Sequence, residues 1–287
     1  MSCYSPLAAW KTAGGAVVFQ ELRRHGELSP LQLPCGQCIG CRVQRAQDWA
    51  ARCAHEAQCH AENCWLTLTY DDHNLPPGNS LRYRDFQLFL KRLRKAVRPQ
   101  IVRYYMCGEY GETTQRPHYH VCLFGIYFHE NALHSNSKGK QYFTSPLLTK
   151  LWPHGTHLFT QLNSTNAQYT ALYITEKITG DAGVLHYGRR VPPFNRMSLK
   201  PAIGSRWLAR YLNDVRSGDA VILDGRAQKP PKFYDKLHKR MDPESFRSTQ
   251  FDRDERSFLG QADRTPDRLK VRETVASARL NLKVKTL

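Results

Sequence analysis

The sequence predicts an α+β fold, with an antiparallel central sheet and flanking helices, a cysteine-rich helical element before the sheet and a helical extension after it. Hydrophobic periodicity switches repeatedly between the 3.6-residue step of a helix and the two-residue step of a strand. Successive strand segments also lie close enough in the chain to pair as neighbours. The scale is set by 41% apolar residues in 287, enough to bury one large core or two ordinary ones.

From Gly40 to Ala61, residues Val43, Ala46, Trp49, Ala50, Cys53, Ala54 and Ala57 recur at three- and four-residue steps and predict a helix. "CWLTLTYDD" then alternates Thr67 and Thr69 with Leu66 and Leu68, a strand stopped by the polar "DDHNLPPGNS". "RDFQLFLKRLRKAV" returns to helical spacing, with Phe86, Phe89, Leu90, Leu93 and Val97 on one side and Pro99 ending it. Strands follow at "IVRYYMCGEY" and "HYHVCLFGIYF". Residues 129–144 are polar and aperiodic and read as an insertion loop. "SPLLTKLW" predicts a short helix with Pro146 in its first turn, and "GTHLFTQL" a strand. "STNAQYTALYITEKITG" predicts a helix opened by Ser164 or Thr165 and closed by Gly180.

Beyond Gly180, Pro192, Pro193, Pro201 and Gly204 punctuate the chain before a helix through Trp207, Leu208, Tyr211 and Leu212. The final forty residues are charged and read as a helical or partly disordered arm. Four segments result: 1–62, a cysteine-cluster segment and helix packed on the core; 63–180, the core; 181–245, an extension; 246–287, the arm. No internal repeat is visible.

Forty-two lysines and arginines against 25 acids give a formal charge of +17, which resists compaction unless a polyanion is the partner. Nucleic acid leads; a merely soluble basic protein is the plainer alternative. No run of about 18 apolar residues exists, and the start "MSCYSPLAAWKTAGG" lacks the charged and apolar blocks of a secretory signal, so the expected setting is cytosolic, without a membrane. In a reducing compartment nine cysteines, an odd number with a tight cluster, point to metal or buried thiols. No GxxxxGKS or GxxxxGKT phosphate loop suggests an ATP-driven motor.

In "RPHYHVCLFG", His118 and His120 are two apart on a strand and project from one face, while Tyr119 faces the other. The preceding "CGEYGETTQRP" is a glycine-rich turn that returns Glu109 to the histidines, with Glu112 as a competing ligand. Two imidazoles and a carboxylate suit Mg²⁺ or Mn²⁺ and can polarise a phosphodiester; two hydrogen-bonded surface histidines are the alternative. In "YTALYITEK", Tyr169, Tyr173 and Lys177 share one helical stripe. That stripe is either core packing or, if Ala167, Ala171, Leu172, Ile174 and Ile178 face the core, a partly accessible pair of phenols. A phenol is a poor nucleophile at neutral pH without a cation nearby, which a metal or lysine supplies. Its phosphate ester would conserve the bond energy for rejoining without ATP.

"CGQCIGC" sets Cys35, Cys38 and Cys41 at close spacing; with Cys3 as a fourth ligand they would make a tetrahedral structural Zn²⁺ site. Unligated thiols or an oxidised pair are the alternatives. Arg42, Arg45 and Arg52 on the first long helix, and Lys91, Arg92, Arg94, Lys95 and Arg98 on the second, are candidate phosphate contacts or solvated faces. Trp65 and Tyr70 read either as platforms for an unpaired base or as core. His55, His60 and His73 read as surface residues.

"WLTLTYDD", "GEYGETTQRPHYHVCLFG" and "YTALYITEK" resemble the three ordered motifs of HUH endonucleases, and the whole chain resembles the replication initiators of gokushovirus-like microviruses. "PCGQCIGCRVQRAQDWAAR", "LFLKRLR", "MSLKPAIGSRWLARYLNDV" and "PPKFYDK" extend the likeness from residue 1 to near 245, and it thins out in the arm. The resemblance implies a ferredoxin-like core whose central strand carries His118 and His120 as ligands of a divalent metal, with Glu109 third. It implies that Tyr169 or Tyr173 cuts one strand, keeps the 5′ phosphate and releases a 3′-OH, the second tyrosine later closing the circle. It makes Cys3 the fourth zinc ligand. Where the family has lysine three residues after the second tyrosine, this chain has Glu176; Lys177, one place on, is turned by about 100°.

The expected activity is therefore a rolling-circle nickase and ligase. Its partners would be single-stranded DNA, double-stranded replicative-form origin DNA and a host helicase and polymerase, in the bacterial host cytoplasm. Two alternatives remain: a non-catalytic, zinc-stapled single-strand binder, which would gain if both tyrosines lay far from the histidines, and a plasmid mobilisation relaxase.

Overall fold

The computed structural model describes residues 3–20, 28–111, 113–137, 139–178 and 180–284. The chain forms two compact units, one of residues 46–246 and one of residues 1–45 with 247–287.

In the larger unit the predicted helix is α1 (Ile39–Ala57), followed by β4 (Asn63–Tyr70), α2 (Tyr83–Ala96), β5 (Arg103–Tyr110) and β6 (Pro117–Phe124). Then come β7 (Ala132–Ser137), β8 (Lys140–Thr144), α3 (Pro146–Leu151), β9 (Gly155–Gln161), α4 (Ser164–Glu176), α5 (Gly180–Tyr187) and β10 (Phe194–Met197). Among the described residues seven strands join, all antiparallel, in the order β10-β5-β6-β4-β9-β8-β7. The predicted α+β class with an antiparallel central sheet is what forms.

Alternation sorts each interior strand onto two faces. Leu66, Leu68, Tyr70, Tyr104, Met106, Tyr119, Val121, Leu123 and Phe159 point to one side, where Phe86, Phe89, Leu90 and Leu93 of α2 and Leu148 and Leu151 of α3 cover them. Phe86 and Phe89 are fully buried, each worth about 2–3 kcal/mol of apolar burial. Trp65, Tyr105, Cys122 and Phe124 point to the other side, against Ala46 and Cys53 of α1 and Ala167 and Ala171 of α4. Gly155 opens β9 at φ +150°, and a Cβ there would sit 2.3 Å from Thr69 O, so only glycine allows β9 this close to β4.

Residues 129–144, expected as a loop, contain the hairpin β7/β8. It lies at the sheet edge, where backbone pairing holds it and Leu133 stays exposed, so no hydrophobic alternation marks it. Phe143 alone pairs inward, against Phe159. Beyond residue 180 the chain returns to the sheet as β10 and continues through α6 (Ser205–Gly218), β11 (Val221–Leu223), β12 (Arg226–Gln228) and α7 (Lys232–Met241). Leu208, Val215, Val221 and Tyr234 from this stretch pack on Ala51 of α1.

The smaller unit holds a three-stranded sheet of β1 (Leu7–Thr12), β2 (Val17–Val18) and β3 (Leu28–Leu33) in the order β2-β1-β3. Of β1 only Ala9 is buried, too little to leave a pattern in the sequence. The charged arm is helical where described, in α8 (Pro243–Leu259) and α9 (Pro266–Val284).

Candidate functional site

β5 and β6 pair so that Glu109 stands directly opposite His118 and Cys107 opposite His120, and the turn closes with Gly111 N–H donating to Arg116 O at 3.0 Å. Both imidazole Nε2 atoms meet the same carboxylate oxygen: His118 at 2.6 Å and His120 at 3.0 Å from Glu109 Oε1. The other ring nitrogens are occupied as well. His118 Nδ1 lies 3.0 Å from Arg116 O and His120 Nδ1 lies 2.9 Å from Thr67 Oγ1. A carbonyl only accepts, so His118 Nδ1 carries a proton, and its Nε2 cannot stand 2.6 Å from a carboxylate oxygen without a cation between them.

A proton or a metal ion meets that requirement. With a proton, burial acts to lower His118, but the hydrogen bond and charge of Glu109 outweigh it and raise the pKa. His120 is more deeply buried, and burial holds its pKa below the ordinary value despite Glu109. The three ligand atoms lie within 4.8 Å of one another. Two imidazoles and a carboxylate thus fit a divalent ion, each ring oriented by a hydrogen bond on its far side. Glu112, the competing ligand, lies outside the described residues.

Above the histidines runs α4. Its N-cap is Asn163, whose side chain accepts from Asn166 N, rather than Ser164 or Thr165, and the helix ends at Glu176, not Gly180. Asn166, Ala167, Thr170 and Ala171 face the sheet and are buried; these small side chains let the helix sit close. Tyr169 and Tyr173 flank that stripe, half-buried. The Tyr173 ring stacks on His120 with centroids 5.2 Å apart, and the Tyr169 ring meets it edge-on at 5.3 Å. The two hydroxyls are hydrogen-bonded to each other. Burial, then the charge of Glu109, push the Tyr173 phenol well above its ordinary pKa. Lys177 is the half-buried residue after the helix, with extended rather than helical backbone (ψ 120°).

Two contributors escaped the sequence reading. Thr67 orients His120, as above, and Trp65 donates from Nε1 to Thr170 Oγ1 at 2.8 Å while its ring stacks on His120. The available signal was β4 itself, on which Trp65, Thr67 and Thr69 share the face opposite Leu66 and Leu68. Trp65 and Tyr70 are core residues, so neither is free to stack on a base.

In the smaller unit the Sγ atoms of Cys3, Cys35, Cys38 and Cys41 all lie within 4.8 Å of one another. Backbone N–H groups point at the sulfurs: Tyr4 N donates to Cys38 Sγ at 3.3 Å, Cys35 N to Cys3 Sγ at 3.3 Å and Cys38 N to Cys35 Sγ at 3.3 Å. Burial raises the Cys38 thiol, but the N–H groups of Tyr4 and Cys41 outweigh it and lower the pKa to about 7. Four converging sulfurs with one poised as thiolate fit a tetrahedral Zn²⁺.

The candidate phosphate contacts divide. Arg52 is not one: it is buried, sandwiched between the rings of Trp49 and Phe233, and its Nε donates to Ile203 O. Arg45 is exposed and donates to Gly36 O, and Arg42 is half-buried. Arg92 and Arg94 donate to Leu151 O and Val102 O, while Lys91, Lys95 and Arg98 are exposed. All five sit on or beside α2, across the sheet from Glu109 and the histidines. His55, read as a surface residue, is fully buried against Trp207 and Tyr234.

Fold and site define an α+β protein with a His-His-Glu cluster on one sheet face and two tyrosines on the helix above it. The family model for replication-associated proteins of the ORF2 type matches residues 63–178, the stretch that supplies all of these. Over 255 residues the chain is 33% identical to Replication-associated protein VP4 of Bdellovibrio phage phiMH2K, covering 86% of this chain and 80% of that one. It is 28% identical over 264 residues to Replication-associated protein ORF2 of Spiroplasma virus 4, covering 84% and 81%. It is also 28% identical over 228 residues to Replication-associated protein ORF4 of Chlamydia phage 1, covering 76% and 57%. The chain belongs to this family, the replication-associated proteins of microviruses. No solved structure matches it. Among the described residues no helix is long and apolar enough to cross a membrane.

Proposed function

We propose that this protein starts rolling-circle replication of a phage genome by cutting and rejoining one DNA strand through tyrosine. The observation that carries the reading is the meeting of two segments distant in the chain: the Glu109, His118 and His120 cluster of β5 and β6, and the Tyr169 and Tyr173 phenols of α4, both rings within 5.3 Å of His120 by centroid.

Glu109, His118 and His120 would hold Mg²⁺ or Mn²⁺, which when bound supplies positive charge for the non-bridging phosphate oxygens. One tyrosine oxygen attacks the phosphorus of a single strand. The new Oη–P bond forms as the P–O3′ bond breaks, and the phenolic proton ends on the departing 3′ oxygen. The 5′ phosphate stays on the tyrosine as an ester, so attack by a 3′-OH later reverses the step without ATP. The hydrogen bond between Tyr169 and Tyr173 keeps the second phenol beside the first, ready for the regenerated origin. Buried as it is beside Glu109, the Tyr173 phenol needs local positive charge to ionise. Lys177, at the end of α4, would lend it. The four cysteines would hold a structural Zn²⁺.

A net charge of +17 suits single-stranded DNA and the double-stranded replicative-form origin as partners. A host helicase would part the strands and a host polymerase would extend the 3′-OH, in the bacterial cytoplasm. The tyrosine placement favours this reading over a non-catalytic binder. The test is to incubate the protein with a labelled single-stranded origin and Mn²⁺. A denaturation-resistant adduct is expected from the wild type and none from Tyr169→Phe/Tyr173→Phe; an adduct surviving the double substitution removes both nucleophile assignments.

A further inference from the structure

On the outer side of α2 lies a groove of about 600 Å³, lined by Tyr83, Gln87, Lys91, Arg94, Lys95 and Arg98 over a floor that includes Leu90 and Tyr104. From Arg82 to Arg98 the chain has seven lysines and arginines and one acid, Asp85. That acid does not offset them at the surface, because it is buried and accepts from Tyr70 OH at 2.9 Å.

The groove is also ordered in a way a solvated charge run is not. Arg94 donates to Val102 O from Nε at 3.3 Å and from a terminal nitrogen at 3.1 Å, with its guanidinium 5.9 Å from the Tyr104 ring centroid. The Tyr104 and Tyr83 hydroxyls are 3.3 Å apart, and Arg196, on the edge strand β10, lies 5.4 Å from the Tyr83 ring. Fixed arginines and phenol rings at the base, with exposed lysines at the rim, are the elements that grip a single-stranded backbone. A duplex offers its phosphates to such a groove but no bases to its rings.

We infer that this groove is a second DNA site, holding a single-stranded segment other than the one at Glu109. The two cannot be the same few nucleotides, because α2 covers the sheet face opposite the histidines. The inference rests on the DNA-processing reading for the identity of the polyanion, not on its chemistry. Held there, the second segment is kept from the phosphotyrosine while a polymerase extends the free end.

The test compares the wild-type full chain with Lys91→Gln/Lys95→Gln/Arg98→Gln. Adduct formation is measured on a short oligonucleotide confined to the cut site, and binding of a long single strand is followed by anisotropy over a salt series. Unchanged adduct formation is expected, with long-strand affinity lower by about tenfold or more and a salt slope smaller by about 2, at ~0.7 per lost phosphate contact. Wild-type affinity and slope in the triple variant would overturn the inference, as would a loss confined to duplex DNA. So would a parallel loss of adduct on the short oligonucleotide, which puts these side chains on the path of the cut strand. If Tyr169→Phe/Tyr173→Phe still forms adduct, the nickase assignment fails while the groove comparison stands.

Discussion

The indole of Trp65 lies parallel to the His120 imidazole, with ring centroids 5.0 Å apart and planes inclined by 11°. The same indole donates to Thr170 Oγ1 at 2.8 Å, and Thr170 is the neighbour of Tyr169 on α4. Tyr169 meets the indole edge-on at 5.9 Å. One buried side chain therefore touches both the imidazole and the helix that carries the phenols, and sets the spacing between them.

Trp65→Phe keeps an aromatic ring on His120 and loses the N–H, leaving Thr170 short of a partner. Because small misplacements of reacting groups are costly, adduct formation is expected to slow by about 10- to 100-fold with Mn²⁺ affinity unchanged. Single-turnover rates at saturating Mn²⁺, alongside calorimetric titration, check this. A rate equal to wild type removes the spacing role.

Thr67 acts on the imidazole from its other side. With His120 Nδ1–H donating to Thr67 Oγ1, Nε2 is left as the ligand atom. Thr67→Val is expected to weaken Mn²⁺ binding by about 10- to 100-fold, and Thr67→Ser to restore most of it. Equal affinity in the valine variant would show that the tautomer is set elsewhere.

Metal binding should also compete with protons. Glu109 raises the His118 pKa against the opposing effect of burial, so the imidazole takes a proton at higher pH than usual. Mn²⁺ affinity is then full above that raised value and lost as pH falls through it, with protons released on binding. Titrations in buffers of different ionisation enthalpy measure the release; zero protons released across the window contradicts the assignment.

Acid should loosen the fold through a neighbouring pair. Burial lowers the His55 pKa from 6.5 to about 4, so its contribution is complete above 6.5 and is lost as pH falls toward 4. Burial opposes the charge on Glu56, but His60, Gly204 and Arg103 outweigh it and lower its pKa from 4.5 to about 2; that contribution is lost as pH falls from 4.5 toward 2. Each shift corresponds to about 3 kcal/mol. Urea unfolding should show stability declining already below neutrality, with the upper part of the decline absent in His55→Phe. A flat profile down to about 4 would exclude the buried neutral imidazole.

The cysteine cluster predicts one tightly held Zn²⁺ per chain. Elemental analysis of purified protein should find it, and Cys38→Ser should lose it. Chelation should free four thiols to a thiol reagent, among the nine cysteines present. Wild-type metal content in Cys38→Ser would remove the assignment.

Much of the site was legible because it is written in strand parity. His118 and His120 had to share a face, and a short turn had to return Glu109 beside them; the structure pairs Glu109 with His118 directly. The cysteine spacing was equally informative. Less legible were residues whose role depends on what packs over them. Arg52 and His55 lie on one helix with ordinary surface-type residue identities, yet Phe233 covers the first and Trp207 with Tyr234 the second. Those partners are far along the chain and leave no mark on local periodicity. The β7/β8 hairpin was missed for the reverse reason, since backbone pairing at an edge needs no hydrophobic pattern.

By itself the sequence determined the fold class, the side of the strand on which the histidines stand, the clustering of cysteines and the excess of positive charge. All of these follow from residue type and short-range spacing, because side-chain direction in a strand or helix is a local geometric matter. Only the tertiary structure decided that the phenols of α4 lie over His120, that Trp65 and Thr67 brace that ring, and that the cations of α2 belong to the opposite face. Those relations depend on which side of the sheet each helix covers, a choice made by the summed packing of distant apolar faces rather than by any single stretch of chain.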